Sequence, residues 1–260
     1  MPPLVTLTTD FGTQDPYVAS MKGALHTGCP GVIVEDLSHA ITPHDVFEGA
    51  LFLAGAVPYF PPGSIHVVVV DPGVGTERRP VVAEAGGRVF VCPDNGLLTL
   101  YLREYPLHDA HIISNPHFMR EDVSHTFHGR DVFAPAAARL AAGEALAQAG
   151  PAIDTLITLH VPEVETAEDG TIRGEVIHID RFGNAVTNIT ESRLQPATAY
   201  SAEAPGLAIE GIARTYGNVA KREALALIGS THRLEIAVRE GRASELLGLA
   251  RGVPIILHPQ

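Results

Sequence analysis

Three short segments carry the side chains best suited to chemistry: Asp71-Pro72-Gly73-Val74-Gly75 with Arg78, Thr126-Phe127-His128-Gly129-Arg130-Asp131, and Asp180-Arg181-Phe182-Gly183-Asn184. The first two supply a carboxylate, a guanidinium and an imidazole, each beside Gly or Pro, where loops rather than core are expected. The third adds an acid, an aromatic ring and an amide. A charged set for acid–base work, together with a ring and an amide for gripping a flat ligand, predicts an enzyme acting on a nucleoside-like molecule.

The elements that must position these residues follow from hydrophobic pattern. Apolar runs at Leu4–Thr8, Gly31–Asp36 and Ile65–Val70 read as strands, the last covered on both faces. Tyr17–His26, Asp45–Val57, Leu97–Tyr105 and Val132–Ala142 read as helices. Val81–Ala85 and Arg88–Cys92, split by Gly86-Gly87, form a hairpin. Strands alternating with helices predict an α/β domain with a mostly parallel sheet over residues 1–160. Beyond Pro151 the pattern becomes short strands between turns, at Ile172–Ile179, Leu225–Ile228, Leu234–Val238 and Pro254–Leu257. A C-terminal β-barrel domain over residues 161–260 is expected.

In such sheets ligands bind at the carboxyl ends of strands. Asp10 and Asp71 each follow an apolar run, so both are expected at one sheet edge, and Gly73 and Gly75 would let backbone approach a ligand. Asp94-Asn95-Gly96 reads equally well as a turn. His128, ahead of an Ala-rich segment, is expected at a helix N-terminus, where the dipole disfavours imidazolium and keeps the ring neutral. His66, His178 and His258 read as packed core histidines.

Composition narrows the function classes. The chain of 260 residues has net charge −12 and only two lysines, Lys22 and Lys221, which argues against nucleic acid and suits a small cationic substrate. Cys29 and Cys92 are too few for a disulfide framework or thiolate site and are expected as buried free thiols. Met1-Pro2-Pro3-Leu4 runs directly into a polar segment, so no signal peptide is expected. The apolar stretch from Ala50 to Val70 is broken by Pro58, Pro61 and Pro62, which rules it out as a spanning helix. A soluble, cytoplasmic protein without membrane association is the expectation. Asp10, Asp71, Asp94, His125 and His128 could build a metal site for phosphate-ester hydrolysis, but no ligand spacing supports one, and the Gly-Val-Gly-Thr loop lacks a P-loop ending.

Thr9-Asp10-Phe11-Gly12, Asp71-Pro72-Gly73-Val74-Gly75-Thr76 with Arg78, Pro93-Asp94-Asn95-Gly96, Thr126-Phe127-His128-Gly129-Arg130-Asp131, and Phe182-Gly183-Asn184 with Thr187-Asn188 resemble the S-adenosyl-L-methionine (SAM) hydrolases. These are also called SAM hydroxide adenosyltransferases and are relatives of fluorinase and chlorinase. Gly229-Ser230 and Leu234-Glu235-Ile236-Ala237-Val238 carry the likeness nearly to the end of the chain. The resemblance implies an α/β domain, a β-barrel and a homotrimer with active sites between subunits. It also implies water displacing methionine from the ribose C5′, without a metal or organic cofactor.

By the same resemblance the catalytic set is Asp71, Arg78 and His128, with Arg78 rather than its neighbour Arg79 at the family spacing. Asp10 matches the acid that binds both ribose hydroxyls. Asp15, Asp180 and Ser230 match residues near the methionine ammonium. Phe182 and Tyr216 match aromatic positions at the adenine, Asn184 the amide reading its edge, and Asn95 belongs to the matched Pro-Asp-Asn-Gly motif as a substrate contact. The sequence departs from the halogenases by placing Asp71 and His128 where they have tyrosines, Gly129 for a serine, Val74 for a threonine and His44 for a tryptophan. Thr231 replaces an arginine found in some relatives, which unsettles the methionine carboxylate contacts. A carboxylate beside the attacking atom repels halide and favours water. A halide-dependent 5′-halo-5′-deoxyadenosine synthase or its reverse, and a SAM or adenosine binding module without turnover, are the alternatives.

Overall fold

A computed structural model describes residues 2–196 and 198–260, which fall into two compact units spanning 1–159 and 160–260. The first unit is built on a six-stranded sheet. Its strands are β1 (Leu4–Thr9), β2 (Ile33–Ser38), β3 (Ile65–Val69), β4 (Pro80–Ala85), β5 (Arg88–Pro93) and β6 (Leu107–Ile112), in the order β2-β1-β3-β5-β4-β6. The β2-β1-β3-β5 run is parallel, and β4 and β6 add antiparallel pairings. Every residue of β3 is buried, as its unbroken apolar run requires.

Helix α1 (Tyr17–Gly28) buries Val18, Met21 and Leu25, spaced along one face, against the sheet core. Helix α2 (Val46–Ala56) starts at Asp45, whose carboxylate accepts the Glu48 N–H at 2.9 Å and caps the first turn. Helix α3 (Ala134–Ala141) is preceded by a single π turn over Gly129–Phe133 that begins at His128.

The expected helix over Leu97–Tyr105 does not form; the segment is a chain of turns with one 3-10 turn at Tyr101–Arg103. Gly96 has φ +100° and Thr99 turns its hydroxyl back onto the Gly96 carbonyl at 2.6 Å, so local side-chain bonding competes with regular helix.

The second unit holds β7 (Glu165–Thr166), β8 (Ile172–Ile179), β9 (Ala185–Thr190), β10 (Tyr200–Ala204), β11 (Leu207–Glu210), β12 (Ile212–Ala213), β13 (Ala224–Ile228), β14 (Arg233–Val238) and β15 (Pro254–Pro259). The order β11-β10-β15-β8-β9-β14-β13-β12, with β7 beside β8, curls into a nearly closed barrel. Its interior is packed by Ile172, Val176, Ile189, Leu234, Ile236, Ile255 and Leu257, and one short helix, α4 (Ala243–Leu246), follows β14. No helix among the described residues is long and apolar enough to cross a membrane. Cys29 and Cys92 are both buried free thiols.

Candidate active site

Because β1, β3 and β5 are parallel neighbours, Asp10, Asp71 and the Asp94-Asn95 pair all leave the sheet at one edge. Asp71 and Arg78 belong to the loop after β3, and His128 to the turn that leads into α3. Arg78 brings them together. Its Nε donates to both Asp71 oxygens at 3.0 Å, and its Nη2 donates to Asp71 Oδ2 and, at 2.7 Å, to His128 Nδ1. The two charged side chains are almost buried, at 8% exposed for Arg78 and 4% for Asp71. The guanidinium also lies over the Phe133 ring, 5.2 Å from its centre. Arg79 turns away, onto Asp94.

His128 is held below its ordinary value, by burial first and then by the Arg78 cation, against the opposing pull of Asp71 and Asp131. The ring is therefore neutral at pH 7, the expected direction, with burial and Arg78 as the leading causes. Gly73 and Gly75 stand where a side chain would meet neighbouring atoms. A Cβ on Gly73 would stand 3.2 Å from Arg78 Cγ, and one on Gly75 (φ +77°) 2.6 Å from the His125 carbonyl oxygen. Gly73 thus leaves room for the Arg78 side chain of its own loop, and Gly75 lets that loop pack on the His125 segment.

The other residues of this unit sort clearly. Asp10 is half-buried and its Oδ2 accepts the His44 N–H at 2.9 Å, with His44 at φ +69°. Asp15 is exposed in the turn before α1. Asp94 is spent on structure: it holds Arg79 and accepts the Ile157 N–H at 2.7 Å. Asn95 donates to the Val70 carbonyl at 2.9 Å, next to Asp71, while its buried Oδ1 has no partner among the described residues. Of the three histidines expected in the core, only His66 is buried, bonded to Thr6 and Ser64. His178 is partly exposed, and His258 is a surface partner of Glu203. No three His, Cys, Asp or Glu side chains among the described residues come together as a metal ion would require.

Two buried acids had no role in the sequence reading although both stand in the matched motifs. Asp131 is fully buried and accepts from Arg130 Nε at 2.6 Å and from the Ser124 N–H at 3.0 Å, so it ties down the loop that delivers His128. Glu235 belongs to the second unit.

In the barrel unit a cavity of about 540 Å³ is lined by Phe182, Asn184, Tyr216 and the Val238–Arg242 turn. Phe182 is 74% exposed and Tyr216 42%, which removes them from the barrel core. Asp180 builds the turn that presents Phe182: Oδ1 accepts the Phe182 and Asn184 N–H groups and Oδ2 the Asn184 side-chain N–H, at 2.8–2.9 Å. Asn184 is buried with that donor engaged. Ser230 is exposed in the β13–β14 turn. Tyr216 donates its hydroxyl to Glu235 at 3.1 Å.

A carboxylate, guanidinium and imidazole in one hydrogen-bonded chain at the carboxyl edge of a parallel sheet is the arrangement of an α/β enzyme with an acid–base site. Comparison with known proteins gives the class a family. The SAM hydroxide adenosyltransferase N-terminal and C-terminal domain descriptions match residues 5–150 and 174–256. The chain is 42% identical to an (R)-S-adenosyl-L-methionine hydrolase of Salinispora tropica, over 96% of this chain and 95% of the relative. One from Thermus thermophilus is 41% identical over 97% of this chain and 98% of its own. A fluorinase from an Actinoplanes species is more distant, at 32% over 75% of this chain and 74% of its own. A crystal structure of a conserved Thermotoga maritima protein superposes with a TM-score of 0.90 at 32% identity, covering 98% of this chain and 99% of that one. The chain belongs to the SAM hydroxide adenosyltransferase family.

Proposed function

We propose that this protein hydrolyses S-adenosyl-L-methionine to adenosine and L-methionine by attack of water on the ribose C5′. The observation that carries the reading is Arg78 bridging Asp71 and His128. The sulfonium is already a good leaving group, so the site has mainly to hold a water in line with the C5′–S bond and make it more nucleophilic. A new O–C5′ bond forms as the C5′–S bond breaks, and methionine departs with the electron pair as a neutral thioether.

Asp71 and His128 hydrogen-bond the water, and Arg78 keeps them in register. A guanidinium only donates, so the His128 nitrogen facing it carries a lone pair and the other nitrogen carries the proton. Asp71 is then the group left to receive the proton of water. Asp10 holds the ribose hydroxyls, and Asn95, next to Asp71, supplies an amide at the same edge. Phe182, Tyr216 and Asn184 hold the adenine, with the base against the rings. Asp15, Asp180 and Ser230 serve the methionine end, where carboxylates complement an ammonium and a sulfonium. No metal or organic cofactor is needed for these steps. The working form is a cytoplasmic homotrimer with sites shared between subunits, and sedimentation at three times the 27.6 kDa chain mass is the expected result.

The test is to incubate the purified protein with SAM, with and without chloride or fluoride, and to separate the products. Adenosine and methionine in equal amounts are expected under all conditions. Their absence rejects the reading; 5′-chloro- or 5′-fluoro-5′-deoxyadenosine formed faster than adenosine would replace hydrolysis with halogenation.

A further inference from the structure

Glu235 sits in the middle of β14, only 6% exposed, where a carboxyl is rarely found without a partner. Its Oε2 accepts the Tyr216 hydroxyl at 3.1 Å. Its Oε1 occupies the space above Gly229, where a Cβ would stand 1.8 Å away. Residue 229 must therefore lack a side chain for this carboxyl to lie as it does. Tyr216 belongs to a short 3-10 turn, Tyr216–Asn218, and its ring is too exposed to be fixed by packing alone. Phe182, which also lines the cavity, rides on the turn that Asp180 builds. Each aromatic wall thus has its own carboxyl anchor.

We infer that Glu235 is a positioning residue for base recognition: seated over Gly229, it anchors the Tyr216 hydroxyl and so fixes the ring against which an adenine lies. Burial raises the Glu235 pKa, and burial together with Glu235 pushes the Tyr216 phenol up to about 12, so the phenol stays a donor throughout the neutral range. The inference rests on the reading of this cavity as the adenine site.

The test is calorimetric titration of the full-length protein with adenosine, with steady-state kinetics on SAM alongside. Glu235→Gln keeps an acceptor and is expected to bind adenosine within about twofold of the parent, rescuing what Glu235→Leu loses. Glu235→Leu and Tyr216→Phe are each expected to weaken adenosine about fivefold, the loss of one hydrogen bond, and to raise KM for SAM in the same proportion. The double variant should be no weaker than either single one, because both break the same contact. Unchanged affinity in Glu235→Leu, additive losses in the double variant, or a fall in kcat without a fall in affinity overturns the inference. If Glu235→Leu does not fold, Tyr216→Phe, which removes one hydroxyl, decides alone: unchanged affinity overturns it. Phe182→Ala separates the two levels. Loss of adenosine binding there with none in Tyr216→Phe defeats this inference only, whereas full binding in both Phe182→Ala and Tyr216→Ala defeats the adenine reading itself.

Discussion

Arg78 Nη2 donates to His128 Nδ1 across 2.7 Å and, together with Nε, grips Asp71. One planar cation thereby sets both the distance between acid and imidazole and the tautomer of the ring, leaving the His128 proton on Nε2.

Loss of any member of this chain should cost turnover, and removing one partner of the buried Asp71–Arg78 pair should lower stability as well. Asp71→Ala, Arg78→Ala and His128→Ala are each expected to lower kcat by at least about 100-fold, the lower range for acid–base assistance. Arg78→Lys should fail nearly as badly, because a single ammonium cannot reproduce the Nε and Nη2 contacts. Steady-state rates with melting curves check this; near-normal rates in all variants contradict the assignment.

The pH dependence has a definite sign. The His128 pKa lies below its ordinary 6.5, by burial first and then by Arg78. As pH falls through that lowered value the ring gains a proton at the nitrogen that faces Arg78, and the bridge breaks. Activity should be flat through neutrality and fall on an acid limb below pH 6.5. Residual turnover of Arg78→Gln, which lacks the cation, should show that limb at higher pH. Stability follows the same sign: the unfolded chain binds this proton near pH 6.5 and the folded one only lower, so the His128 contribution is intact above 6.5 and lost as pH falls. Rate–pH and melting–pH profiles check both.

Gly75 joins the loop of Asp71 and Arg78 to the segment that leads into His128. Gly75→Ala demands a left-handed conformation of a residue with a Cβ and drives that atom onto the His125 carbonyl 2.6 Å away. A stability loss of about 1–2 kcal/mol from the backbone conformation alone is expected. A displaced His125–His128 segment should also lower kcat. Denaturant unfolding and kinetics on the same preparation measure both.

In the barrel cavity, Phe182→Ala should act on binding. A base stacked on a ring contributes about 1–3 kcal/mol, so KM for SAM should rise roughly 5- to 100-fold with kcat little changed. An unchanged KM would remove Phe182 from the site.

Much of this architecture is legible in the sequence because strand ends are. The unbroken Ile65–Val70 run announces a doubly covered strand, and with Leu4–Thr9 beside it the placement of Asp10 and Asp71 at one edge follows. The choice of Arg78 over Arg79 is less accessible: only the family resemblance favours it, and the commitment of Arg79 to Asp94 is a contact that no local pattern announces. Leu97–Tyr105 misleads because its apolar spacing suits a helix, while the Gly96 and Thr99 contacts that stop one are long in effect and short in sequence. Glu235 and Asp131 are hidden for a different reason. A strand and a helix start normally expose a charged residue, and burial of a carboxyl depends on partners, Tyr216 and Ser124 among them, that no local pattern announces.

The most direct measurement is the reaction run in ¹⁸O-labelled water with mass analysis of both products. Attack at the ribose carbon places one heavy oxygen in the 5′-hydroxyl of adenosine and none in methionine. Unlabelled adenosine, label in methionine, or no adenosine at all would contradict a water molecule activated between Asp71 and His128.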